Sequence, residues 1–211
     1  LFVVPKFWFD EDLQVGARNG AKVVGIEHKM GLNGSATCTL ALGADQPCRG
    51  WLLGEERQGI KYMFTMMNEA RIGVGVQSVA IAHAATTYAR KYALERKQGS
   101  DIKEFKNAEA PRVSIVQHPD VRRNLLTMKV LTETLRSMLF RMAHYHNVAE
   151  NTDDEKLAAK LHGRVDLLVP ILKAHGSDRA FDVAVTGVQV FGGYGYIGEY
   201  PAEQLVRDAK I

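Results

Sequence analysis

Apolar and polar positions along this chain change their period near residue 58. Before that point, AKVVGIEHK (21–29) and ATCTLALG (36–43) are short, β-branched runs bounded by glycine and asparagine, the punctuation of strands. Asn33-Gly34 lies between them in LNGSATCTL, a strong hairpin signal. Three or four such strands on their own would leave open edges, so this region is expected to be part of a sheet or barrel whose remainder lies elsewhere.

From about Gln58 to about Lys97 the period is helical, with no proline, and Ile72, Val76, Val79, Ala80 and His83 fall on one face. Pro111 and Pro119 punctuate a loop of mixed polarity. A second helix is predicted from Asp120 to about Val148, with Val121, Leu125, Met128, Leu131 or Thr132, and Leu135 as its apolar stripe. AENTDDEKL offers capping residues for a third helix over roughly 153–175, with a kink expected at Pro170. Gly176-Ser177-Asp178 reads as a C-cap followed by an N-cap, and a fourth helix from about Arg179 to Phe191 stops at Gly192-Gly193. The expected class is therefore α+β. A partial β-barrel or sheet domain over 1–55 is followed by an antiparallel four-helix-bundle domain over 56–211.

Composition narrows the function classes. Of 211 residues, 46% are hydrophobic and 24% charged, which is ordinary globular usage. No apolar run is long enough to span a bilayer. The net charge of +3 points to no nucleic-acid partner. Cys38 and Cys48 form no disulfide framework and read as free thiols, which favours a reducing compartment. Asn33-Gly34-Ser35 matches the glycosylation pattern, a short pattern that recurs by chance. The chain begins at Leu1 rather than methionine, so the sequence carries no information on a targeting signal of the whole protein.

Several residues could carry chemistry. Gly192-Gly193 ends a helix and lets a ligand approach the main chain, though a plain C-cap explains the pair as well. Arg96, with Gln98 in LERKQG, could hold a phosphate bidentately or could answer the helix C-terminal dipole. Arg71 sits among small and apolar residues in NEARIGVGV and wants a partner, an ion pair with Glu69 or a contact to Asn68 being the structural alternative. His144 and His146, two residues apart on a helix, point to different faces and cannot easily share a metal, so none is expected. His118, before Pro119, reads as a loop histidine. Met63, Met66 and Met67 read as adaptable core.

Taken together, the segments resemble the acyl-CoA dehydrogenase family. GIEHKMGLNGSATCTL is similar to that family's β-domain signature, GEERQGIKYMFTMMNEAR to the entry of its C-terminal helical domain, and YALERKQG to its flavin-pyrophosphate contact. QVFGGYGYIGEYPAEQLVRDAKI is similar, almost position for position, to its Gln-x-x-Gly-Gly-x-Gly-Tyr/Phe flavin motif with the following Glu-Tyr-Pro and Arg-Asp-x-Lys-Ile. Two departures stand out: Gln98 is followed directly by Gly99 where an aromatic is usual, and the loop 99–119 is longer than in short- and medium-chain members. In this it looks more like the large bacterial subgroup that includes methylmercaptopropionyl-CoA dehydrogenases.

The resemblance implies an FAD enzyme that dehydrogenates an acyl-CoA thioester between Cα and Cβ. A glutamate takes the α-proton while a hydride leaves Cβ for the flavin, and electrons then pass to an electron-transfer flavoprotein. It also implies that Arg96 and Gln98 contact the FAD pyrophosphate, often across the interface of a homodimer or homotetramer. Gln189, Gly192 and Gly193 would line the adenylate side, Asn68 would meet CoA where aspartate is usual, and Arg71 would orient the catalytic carboxylate. The family's usual glutamate position falls past Ile211, and its alternative position is Ala70, with Glu69 one helical step of about 100° away. The expectation is therefore a fragment, inactive and a poor FAD binder alone. Its setting would be the bacterial cytoplasm, or the mitochondrial matrix in a eukaryote. An oxidase or hydroxylase on the same scaffold, and a non-catalytic helical assembly module, are the rival readings.

Overall fold

Strand formers and turn formers alternate so closely in the first 58 positions that no strand exceeds six residues. The computed structural model describes residues 1–210. It divides into two compact units, Leu1–Glu69 and a second beginning at Ala70. In the first unit, β1 (Phe2–Val3) pairs with β6 (Trp51–Leu52), β2 (Phe7–Phe9) with β3 (Val15–Arg18), and β4 (Ala21–Ile26) with β5 (Cys38–Leu42), all antiparallel. The wall of one sheet or partial barrel expected from the strand runs is here three separate two-stranded ribbons.

The pairing of β4 with β5 agrees with the hairpin read from the sequence, but Asn33-Gly34 is not a two-residue loop. It lies inside a connection over 27–37, where Leu32 takes φ +49° and its carbonyl accepts from the Ser35 N–H at 3.0 Å. A single side chain ties the unit's loops together. Asn19, 1% exposed, donates from Nδ2 to the carbonyls of Pro5 (2.9 Å) and Arg49 (2.8 Å). Its Oδ1 accepts from the N–H groups of Gly20 (3.0 Å) and Arg49 (2.9 Å). Every polar valence of the buried amide is thus filled, as burial requires.

Helix α1 (Gly59–Glu95) begins in the first unit and continues into the second, which also holds α2 (Pro119–Asn151), α3 (Glu155–Phe191) and α4 (Ala202–Ala209). The apolar stripe expected on α1 is rotated. Val79 is buried and Ile72 half-buried, but Val76, Ala80 and His83 are exposed. The core face is a small-residue ladder of Ala82, Ala85, Ala89 and Ala93. On a hydropathy scale alanine is weak, so the eye follows valine and isoleucine; packing instead selects the face that permits close helix approach. On α2, Met128, Thr132 and Leu135 are buried as expected, and Thr132 rather than Leu131 occupies the core position. Its Oγ1 lies 3.1 Å from that of Thr86, which donates to the Ala82 carbonyl at 2.8 Å.

The third and fourth helices read from the sequence are one helix. α3 runs 37 residues through Pro170 and through Gly176-Ser177-Asp178. An internal proline costs about 3 kcal/mol and a glycine about 1. Against this, Leu161, Val165, Val169, Leu172, Val183 and Val190 are buried along the same face, each worth about 1.5–3 kcal/mol. Burial wins. Gly176 is not a cap: it is buried, and a Cβ there would meet Leu172 Cδ1 at 3.8 Å and Ser78 Cβ at 3.9 Å. The Ser177 hydroxyl donates back to the Ala174 carbonyl at 3.1 Å. The cap of α3 is Asp154, whose Oδ1 accepts from the N–H groups of Lys156 (3.0 Å) and Leu157 (3.1 Å). α4, absent from the sequence reading, is braced by Arg207 Nε donating to Glu203 Oε2 at 2.6 Å.

Asp154→Ala is expected to lower unfolding free energy by about 1 kcal/mol in chemical denaturation. Gly176→Ala is expected to leave stability unchanged or raise it by up to about 1 kcal/mol, because the helix is continuous there. A marked loss would mean that the chain breaks at this point.

Candidate functional site

Three helix ends meet in the second unit. α1 stops at Glu95, α2 starts at Pro119 behind its N-cap His118, and α3 stops at Phe191. The segment after α1 folds back on the one before α2. The N–H of Gln98 donates to the Val113 carbonyl at 3.0 Å, that of Val113 to Gly99 at 2.9 Å, and that of Ile115 to Arg96 at 2.8 Å. Gly99 makes the reversal at φ +70°. The His118 ring closes the turn, its Nε2 lying 2.7 Å from the Gln98 carbonyl.

α3 ends because Gly192 adopts φ +62°, ψ −139°, a conformation open to glycine alone, while its N–H still donates to the Gln189 carbonyl. A 3-10 turn, Gly192–Tyr196, follows. A Cβ on Gly192 or Gly193 would point into open space, so the main chain there is accessible to a ligand. At Gly195 the reverse holds: a Cβ would sit 2.7 Å from the Val188 carbonyl oxygen.

Aromatic packing joins these ends. Tyr92, one turn before Arg96, stacks on Phe191 at a centroid separation of 4.4 Å, and Tyr200 meets both edge-on at 6.2 and 5.7 Å. Tyr194 leans on Tyr200 at 5.2 Å and carries the Arg96 guanidinium over its ring at 5.4 Å. Burial pushes the Tyr92 phenol above its ordinary range, against the opposing pull of the Arg96 charge.

These elements enclose a cleft of about 400 Å³, lined by Tyr92, Arg96, Gln98, His118, Gln189 and Gly192 among others. Four residues singled out from sequence (Arg96, Gln98, Gln189 and Gly192) therefore come together. Gly193 follows directly on the exposed turn. Arg71 does not join them: it lies on α1 some 25 residues before Arg96, about 37 Å at the helical rise. Asn68 belongs to the first unit. Sequence reasoning missed Tyr92, Tyr194 and His118. The signal for Tyr92 was its position four residues before Arg96, on the same helix face.

No carboxylate lines the cleft among the described residues. It offers a guanidinium, two carboxamides, an imidazole and exposed glycine main chain, beside aromatic faces. That donor set suits a ligand with an anionic centre, such as a pyrophosphate.

Residues 57–211 match the family profile described as acyl-CoA dehydrogenase, C-terminal domain. Over 217 aligned residues the chain is 43% identical to the broad-specificity linear acyl-CoA dehydrogenase FadE5 of Mycobacterium tuberculosis, covering 100% of this chain and 35% of that protein. It is 40% identical to the 3-methylmercaptopropionyl-CoA dehydrogenase of Ruegeria pomeroyi, again over 100% of this chain and 35% of the relative. Among solved structures, an acyl-CoA dehydrogenase complexed with FAD from Bacillus anthracis superposes with a TM-score of 0.75 at 26% identity, over 91% of this chain and 32% of that one. The chain thus spans about a third of the length of these relatives.

Gly192→Ala is expected to cost about 1–3 kcal/mol, read as a lowered denaturation midpoint, through backbone strain alone. Because the Tyr92 phenol ionises later in the folded protein than in the unfolded chain, its contribution to stability is complete below pH 10 and is lost as pH rises through the folded value. Spectrophotometric titration of Tyr92→Phe should lack one late-ionising phenol present in the parent.

Proposed function

Because the chain belongs to the acyl-CoA dehydrogenase family, we propose that the cleft at the three helix ends holds part of an FAD and that the whole protein oxidises an acyl-CoA thioester to the enoyl-CoA. The observation that carries this reading is the convergence of Arg96, Gln98, Gln189 and Gly192 on one cleft from the ends of α1 and α3.

The donor set fits the cofactor. Arg96 neutralises the pyrophosphate and Gln98 donates beside it, with His118 fixing the turn that presents both. Gln189, Gly192 and Gly193 line the adenylate side, where the lack of side chains admits the ligand to the backbone. Bound FAD supplies a hydride acceptor. Arg71 orients the carboxylate that removes the α-proton, and Asn68 hydrogen-bonds the CoA moiety. Arg96 and Gln98 are exposed, which suits a cofactor shared across the interface of a homodimer or homotetramer. The three β ribbons form part of a β-barrel domain, and electrons leave to an electron-transfer flavoprotein. No helix among the described residues is long and apolar enough to cross a membrane. The setting is the bacterial cytoplasm, or the mitochondrial matrix in a eukaryote.

The full-length protein is expected to purify yellow and to reduce an electron-accepting dye when given acyl-CoA. Arg96→Ala is expected to weaken flavin binding by about tenfold to a hundredfold, the worth of a charged hydrogen-bonded contact. A colourless protein that takes up no added FAD would overturn the proposal.

A further inference from the structure

A second groove, of about 260 Å³, runs between the last turns of α1 and the first turns of α2. Its floor is apolar: Leu94 from α1, Val116 from the connection, and Leu125 and Leu126 from α2. Leu94 and Leu126 are 48% and 62% exposed, so no other part of the described residues covers this floor. Three cations rim it, Arg90 from α1 and Arg122 and Lys129 from α2. The hydroxyl of the remaining lining residue, Thr86, is engaged with the Ala82 carbonyl and with Thr132.

The cations are the informative part. Elsewhere on α2, Arg123 pairs with Asp120 and Arg136 with Glu133, each at 2.8 Å, while Arg141 lies over the Tyr145 ring. Among the described residues, Arg90, Arg122 and Lys129 have no carboxylate within ion-pairing distance. Three unanswered positive charges around exposed leucines favour a ligand that is apolar in the middle and acidic at its edges.

We propose that this groove docks an amphipathic helix of a partner protein, with leucine-like residues along one ridge and glutamate or aspartate on its flanks. A groove between two helices takes such a ridge at helical spacing. A free fatty acid is disfavoured, because small-ligand sites are enclosed and usually exceed about 300 Å³. Groove-on-groove pairing of two copies about a twofold axis would set the same three cations against themselves, so that one arrangement is disfavoured. The inference does not depend on the flavin assignment, since none of these residues lines the cofactor cleft.

The test is fluorescence anisotropy of the full-length protein with a labelled synthetic helix bearing leucine at i, i+3 and i+7 and glutamate on both flanks. Saturable binding is expected, weakening as salt is raised. Arg90→Glu with Lys129→Glu should weaken it by about tenfold or more, as should Leu126→Asp alone. These are surface positions, and circular dichroism would verify that each variant is folded. A peptide with lysine in place of glutamate should not bind. Equal binding of the lysine peptide, unchanged affinity in the charge-reversed variant, absence of binding at low salt, or displacement of the peptide by dodecanoate would each overturn the proposal.

Discussion

The stacking of Tyr92 on Phe191 at 4.4 Å fixes where the last turn of α1 lies against the last turn of α3. Arg96 follows Tyr92 by one helical turn and Gly192 follows Phe191 directly, so this contact sets the guanidinium against the open glycine turn. It is possible only because α1 presents Ala82, Ala85, Ala89 and Ala93 to the core, which brings the helices close along their length. Gly187 continues the same logic on α3, where a Cβ would already stand 3.4 Å from the Met128 methyl. Small residues make the approach, and aromatic rings at the end give it a defined geometry.

Electrostatics at the three helix ends is mixed. α1 and α3 direct C-terminal carbonyls toward the cleft region and α2 directs its N-terminus there, so the dipoles partly offset. Arg96 brings a positive charge to the cleft, its guanidinium lies over the Tyr194 ring, and among the described residues it has no carboxylate within ion-pairing distance. From the residues alone, the helix C-terminal role of Arg96 was the favoured reading and anion binding the alternative. The geometry accommodates both at once, because the guanidinium lies at the end of α1 and also lines the cleft.

How far the sequence could be read depended on whether local signals agreed with packing. α2 was legible, because Met128 and Leu135 are both strongly apolar and deeply buried. α3 was misread as two helices, because Pro170 and Gly176 are breakers locally, whereas their cost is small beside a continuous buried face. α1 was found but its buried face only in part, through Val79 and Ile72, since alanine carries little hydropathic weight. Of the cleft, Arg96, Gln98 and Gly192 were singled out from the residues and Gln189 through a family resemblance, but His118 and the tyrosines were given no part in it. Their roles arise from the fold-back of 96–99 on 113–115, a long-range pairing with no periodicity to announce it.

Asn19 bears on how the first unit ages. Asparagine followed by glycine is the dipeptide most prone to deamidation, because the next amide nitrogen can attack the side-chain carbonyl once the backbone is free to bend. Two such pairs occur, Asn19-Gly20 and Asn33-Gly34. The first is buried, with its amide engaged at four points and the Gly20 N–H directed at the Pro47 carbonyl, 3.2 Å away. The second is exposed on a long connection. The folded chain thus shelters the asparagine whose conversion to aspartate would set carboxylate oxygens against two carbonyls, and leaves chemical wear to the one that is exposed.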